Sequence, residues 1–206
     1  MKKQLFLIII LIFGGMITPL AAQDELITST LKAEEISRRM IELLKTVKTR
    51  EDVSTTNIEL VMKIKVRFDE KNHQNYGFGG TIEGTSKWAY NLSIYSYPGT
   101  DNKIDAALNF SFNRLHDDER SGRDDYAPIC AVDFDAYIKE LKDAGFSSAP
   151  YYGEHGRFLG WDFARGAVSV QITAYGENAE RANHQCVSML TVNISSGAAK
   201  DAGKNN

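Results

Sequence analysis

Four histidines, two cysteines and one short acidic run hold most of the reactive chemistry this chain can offer. His155 stands in Gly153-Glu154-His155-Gly156. A carboxylate beside an imidazole can make an acid/base pair, but between glycines the same residues read as the polar tip of a hairpin. His73, in Glu70-Lys71-Asn72-His73-Gln74-Asn75, reads as a similar loop. His184 lies two residues before Cys186 and is expected on a surface loop beside it. His116-Asp117-Asp118-Glu119 offers oxygen ligands for a divalent cation. It lacks the spaced Asp/Asn pattern with a central glycine that a calcium loop uses, and reads as a solvated acidic loop. Neither a metal nor a cofactor is expected.

Cys130 and Cys186 are the only cysteines. In an oxidising compartment an isolated pair is expected to form a disulfide. It would close a loop of 57 residues, and the chain-entropy treatment gives such a closure roughly 4 kcal/mol. Metal-binding thiolates are the rival use, and no Cys-x-x-Cys spacing or companion histidine motif points to them. The sequence contains no Gly-x-Ser-x-Gly elbow, no P-loop and no strand–Gly-x-Gly-x-x-Gly–helix unit. Gly77, Gly79 and Gly80 are close together, but no helical pattern follows, so they read as a bent edge strand or bulge. No catalytic constellation assembles, and the chain reads as a non-enzyme. Glu154 and His155 are the pair an exported hydrolase would have to use.

The segment Leu115 to Pro128 carries charge of both signs around Ser121-Gly122 and has no secondary-structure period. It is either a linker or a presented loop, and arginine and tyrosine are residues that carry binding energy at interfaces. Ser121-Gly122-Arg123-Asp124-Asp125-Tyr126 resembles, with one extra residue, the Ser-Gly-x-x-Tyr loop that bacterial periplasmic lysozyme inhibitors insert into their enzyme's cleft. The resemblance implies that Arg120, Ser121, Arg123 and Tyr126 dominate contact with a protein partner, while Asp117, Asp118 and Glu119 steer a basic one. As loop residues outside the core they are expected to be replaceable without loss of stability.

Two helices and a set of strands must position this loop. Ile36, Met40, Leu43, Leu44 and Val47 form one apolar stripe over residues 31–48. Phe134, Tyr137, Ile138 and Leu141 form another over 134–144, opened by Asp133 as N-cap and stopped by Gly145-Phe146. Residues 57–68 alternate apolar and polar and predict a long strand with Lys63, Lys65 and Arg67 on its outer face, the fallback interface if the loop is not used. Further strands are expected at 76–83, 88–97, 104–112, 148–153, 157–164, 167–175 and 186–194. Residues 90–97 match 168–175 in alternation at a shift of 78, with Trp88 and Trp161 ahead of them. The expected fold is therefore α+β, an antiparallel sheet packed against two amphipathic helices. Its halves, 31–113 and 130–194, read as tandem copies of a helix-plus-four-strand unit. That order looks like the tandem architecture of secreted β-lactamase inhibitor proteins.

Met1-Lys2-Lys3, the apolar run Leu5–Ile17 and the small residues up to Ala22 have the form of a secretory signal peptide over 1–22. Residues 23–194 are then one domain, and 195–206 a disordered Gly/Ala/Lys/Asn tail. Removing 1–22 takes Lys2 and Lys3 away and moves the formal charge from −3 to −5. That balance argues against a nucleic-acid partner, and no second apolar run suggests a membrane after cleavage. The expected protein is periplasmic or secreted and non-enzymatic, and it neutralises another protein. It would be an immunity protein against a secreted antibacterial toxin, or an inhibitor of a wall-degrading enzyme. The alternative is a module that binds a small molecule or glycan, with Trp88, Trp161 and tyrosines lining its pocket.

Overall fold

The computed structural model describes residues 30–99, 104–115, 125–156 and 158–196. The fold is α+β, with helices laid on one face of a mostly antiparallel nine-stranded sheet. Helix α1 (Ala33–Thr46) buries Ile36, Met40, Leu43 and Leu44 as its stripe predicts. Helix α3 (Phe134–Asp143) starts where the Asp133 carboxylate accepts the Ala136 amide, at 2.9 Å. It stops at Gly145, whose φ of +87° suits glycine. There the Gly145 and Phe146 amides donate back to the Lys142 and Leu141 carbonyls.

Residues 57–68 are not a strand. They form α2 (Thr55–Met62), a left-handed turn at Lys63 with φ 52°, and the two-residue strand β2 (Arg67–Phe68). Ile58 and Met62 satisfy period two and also lie four apart, so one helical turn buries both, with Val61 packed alongside. The alternation fails at Leu60, which is 73% exposed. The Glu59 carboxylate accepts the Val66 amide and fixes the chain as it leaves the helix. The outer basic strand face proposed for Lys63, Lys65 and Arg67 therefore does not exist.

The remaining strands are β1 (Thr30–Leu31), β3 (Tyr76–Ile82), β4 (Trp88–Pro98), β5 (Ile104–Arg114), β6 (Ser147–Tyr152), β7 (Phe158–Arg165), β8 (Val168–Gly176) and β9 (Gln185–Ile194). They run in the order β1-β3-β4-β5-β9-β8-β7-β6, with β2 on β3. Only the two-residue β1 is parallel to its neighbour. Each half contributes a meander, and the two meet at the antiparallel β5–β9 pair, where Ala106 faces Ile194 and Ser111 faces Met189. Strands β4 and β8, matched at the shift of 78, occupy equivalent places on either side of that pair. The glycines of β3 have a steric reason. A Cβ on Gly77 would sit 2.1 Å from the Leu92 carbonyl oxygen.

The helix-facing rows, such as Phe78–Leu92–Phe110–Leu190–Ile172–Trp161, build one core with the apolar faces of α1, α2 and α3. Arg165 ties this layer together. It donates to the Leu44 and Val47 carbonyls at the end of α1 and to the Ala144 carbonyl at the end of α3, while its guanidinium lies 4.2 Å from the Phe146 ring centre. Burial lowers its pKa from the usual range. Lys45 adds an ion pair between α1 and α3, at 2.7 Å from Glu140. Among the described residues no helix is long and apolar enough to cross a membrane.

Candidate functional site

Two regions collect unusual chemistry. The first is the end of the sheet where the 115–128 segment returns. Of the contact residues expected there, Asp117, Asp118, Glu119, Arg120, Ser121 and Arg123 lie outside the described residues. Tyr126 is described, and it is half-buried. Its ring stacks on Tyr175 at 5.0 Å and tilts against Trp88 at 5.5 Å, so it bridges the two halves. Its amide donates to the Glu177 carbonyl. Tyr126 thus packs against the core, and the expectation that its loss leaves stability unchanged is corrected. Trp88 is buried, with Arg114 over its ring, and Trp161 carries Lys142.

Beside Tyr126 the Cys130–Cys186 disulfide is formed. It joins the turn before α3 to the start of β9, and Asp133 forms a bridge with Cys186. His184 is part of this cluster, not a free surface loop. Its Nδ1 lies 3.5 Å from Cys130 Sγ and 2.6 Å from Glu177 Oε2, and its Nε2 lies 3.6 Å from Asp133 Oδ2. Glu177 is buried and also pairs with Arg181 at 2.7 Å. No sequence spacing announced Glu177, because the β8–β9 pairing alone brings it to His184. His155, with φ 59°, sits at an exposed tip beside the exposed Glu154. His73 is likewise exposed.

The second region is the face of the sheet opposite the helices. Registered neighbours share a face, so the pairings define its rows directly. One row reads Gly77–Ser93–Asn109–Thr191–Gln171–Asp162–Ala149 across seven strands. Its neighbours read Gly79–Asn91–Ser111–Met189–Thr173–Gly160–Tyr151 and Tyr95–Ala107–Asn193–Ser169–Ala164–Ser147. Asp162 is the single charged side chain in these three rows across the seven strands, and Gln171 donates to it at 3.1 Å. Strand β2 extends the first row past Gly77 to the exposed Arg67, and Asp105, opposite Tyr97, stands in the next row out. Ser93 donates to Asn91 at 2.8 Å, and Asn113 donates to Ser111 at 2.9 Å. The twist over β6–β9 makes a groove of about 570 Å³ lined by Asp162, Ser169, Gln171, Thr191 and Asn193. The signal was present in the sequence. Outward strand positions carry Asn, Ser, Thr and Gln where a merely solvated face carries Lys and Glu.

No protein-family model, curated protein or solved structure matches this chain.

Proposed function

We propose that this is an exported, non-enzymatic binding protein that neutralises another protein, and that the open face of its sheet is the contact surface. The observation that carries this reading is the registered, nearly charge-free set of rows across seven strands. Seven strands and three rows, each counted at its full spacing, give a patch about 34 Å wide and about 20 Å along the strands, about 680 Å². That is close to the roughly 800 Å² each partner contributes to a standard interface, and larger than a small ligand needs. Interface cores are depleted of charge and enriched in tyrosine. The middle of this face has one carboxylate, Asp162, with Tyr95, Tyr151, Arg67 and Asp105 toward its margins. Export rests on the signal-peptide form of residues 1–22, and the disulfide suits an oxidising compartment. In that compartment the proteins to be neutralised are secreted toxins and wall-degrading enzymes.

The test is calorimetric titration with a lysozyme-type wall hydrolase, and with any secreted toxin that gene neighbourhood brings to light, using the parent chain and Asn109→Arg or Thr191→Arg. Each variant puts a cation in the middle of the face. The expected loss is about a hundredfold or more in affinity, with an unchanged circular-dichroism spectrum. Undiminished binding by folded variants would move the interface to the 115–128 segment. Binding of wall glycan in place of protein would make the chain a glycan module, and turnover of a wall substrate would make it an enzyme.

A further inference from the structure

We propose that Cys130, Cys186 and His184 form a redox-gated site for a thiophilic divalent cation, zinc foremost, with Glu177 as the fourth ligand. The oxidised protein holds the two sulfurs in a disulfide and has no thiolate to offer. Reduction by a dithiol supplies two electrons. The dithiol attacks Cys130, the half-buried sulfur, and Cys186 leaves as a thiolate. The second thiol then closes the reductant's own disulfide and frees Cys130. Both products are thiols or thiolates, and cation binding releases whatever thiol protons remain.

The donor set is already gathered. One ligand atom from each of Cys130, Cys186 and His184 lies within 4.8 Å of the others. The 3.5 Å between Cys130 Sγ and His184 Nδ1 equals the edge of about 3.5 Å expected between sulfur and nitrogen in a tetrahedral zinc site. Two thiolates, one imidazole and one carboxylate are ligands zinc takes together. The Glu177 carboxylate is buried and lies 2.6 Å from the same nitrogen, so it reaches the point where a cation on Nδ1 would sit. With Nδ1 on the cation, the remaining ring proton belongs on Nε2, which faces the Asp133 carboxylate at 3.6 Å. A carboxylate behind a ligating histidine fixes its tautomer and its orientation. The ligand charges are offset as well, with Asp133 left as the carboxylate that faces the Nε2 proton. Two thiolates and Glu177 are offset by a divalent cation and by Arg181, which pairs with Glu177 at 2.7 Å.

The strand pairing holds these groups without help from the disulfide. The Glu177 amide donates to the His184 carbonyl at the β8–β9 turn, the His184 amide donates to the Arg181 carbonyl, and Asp133 bridges to Cys186. Parting the sulfurs to a tetrahedral edge of about 3.7 Å requires rotation at Cys130, while Cys186 stays in the core.

The experiment reduces the full chain with a phosphine, desalts it without oxygen and titrates it with Co²⁺, which reports thiolate ligation by near-ultraviolet charge-transfer bands and a tetrahedral site by visible bands. The expected result is saturation at about one equivalent, no bands before reduction, and at least about tenfold weaker binding for His184→Ala. Circular dichroism is recorded alongside. If reduction alone unfolds the chain, recovery of the native spectrum on adding Zn²⁺ supports the site, and failure to recover overturns it. If the reduced chain stays folded, the proposal is overturned when Co²⁺ gives no thiolate bands or when His184→Ala binds as tightly as the parent.

Discussion

Tyr126 shows how a residue picked out for recognition can also serve the fold. Its ring lies between Trp88 of the first half and Tyr175 of the second, so its removal costs the stacking of two aromatic pairs. Tyr126→Ala is expected to destabilise the protein by about 1–2 kcal/mol, read as a fall of a few degrees in Tm by thermal circular dichroism. An unchanged Tm would mean the ring is not held in this stack. The residue type and the loop were legible in the sequence. The partners were not, because Trp88 and Tyr175 come to Tyr126 only once the β5–β9 seam brings the halves together. His184 was legible in the same partial way. Its place beside the disulfide could be read from spacing, but Glu177 and Asp133 could not.

At the level of elements, α1, α3 and most strands fall where periodicity put them, because each has one clean period and one buried face. Residues 57–68 read as a strand because Ile58 and Met62 fit two periods, and the deciding facts are the exposed Leu60 and the turn at Lys63. What starts this segment is the short 3₁₀ turn Arg50–Val53 between α1 and α2, built on Asp52. Burial alone would raise the Asp52 carboxyl. The Lys48 and Thr49 amides, each at 2.9 Å, and the Thr49 hydroxyl outweigh burial and hold it below its usual value of 3.8. A depressed folded-state pKa contributes stability above the unfolded value and loses it as pH falls through the folded one. The Tm gap between the parent and Asp52→Asn is therefore expected in full near pH 6, shrinking below about pH 4 and closing in stronger acid. Melting curves across that range check it, and a gap independent of pH would remove Asp52 from this role.

For the whole molecule, the uncovered side of the sheet decides what kind of binding to expect. A face with only Asp162 charged in its middle, and Arg67 and Asp105 of opposite sign at its margins, should give association rates that change by less than about threefold between low and high salt, whereas recognition through the acidic and basic 115–128 segment should be steeply salt-dependent. Stopped-flow association at several ionic strengths separates the two surfaces. The layered α+β plan was readable because α1, α3 and the central strands are amphipathic, while the chemistry of the open face emerged only when register placed Ser93, Asn109, Thr191 and Gln171 in one line. The disulfide also bears on how quickly that line can form. Ser111 and Met189 pair in the central seam although 78 residues separate them along the backbone. A path through the Cys130–Cys186 bond shortens this to about 22 residues, which lowers the closure entropy by about 1 kcal/mol. Chains oxidised before they fold should therefore reach the native sheet several times faster than reduced ones, a difference that refolding followed by tryptophan fluorescence would register. For an exported chain that must fold before it is degraded, the bond then acts on the speed of assembly as well as on the stability of the finished sheet.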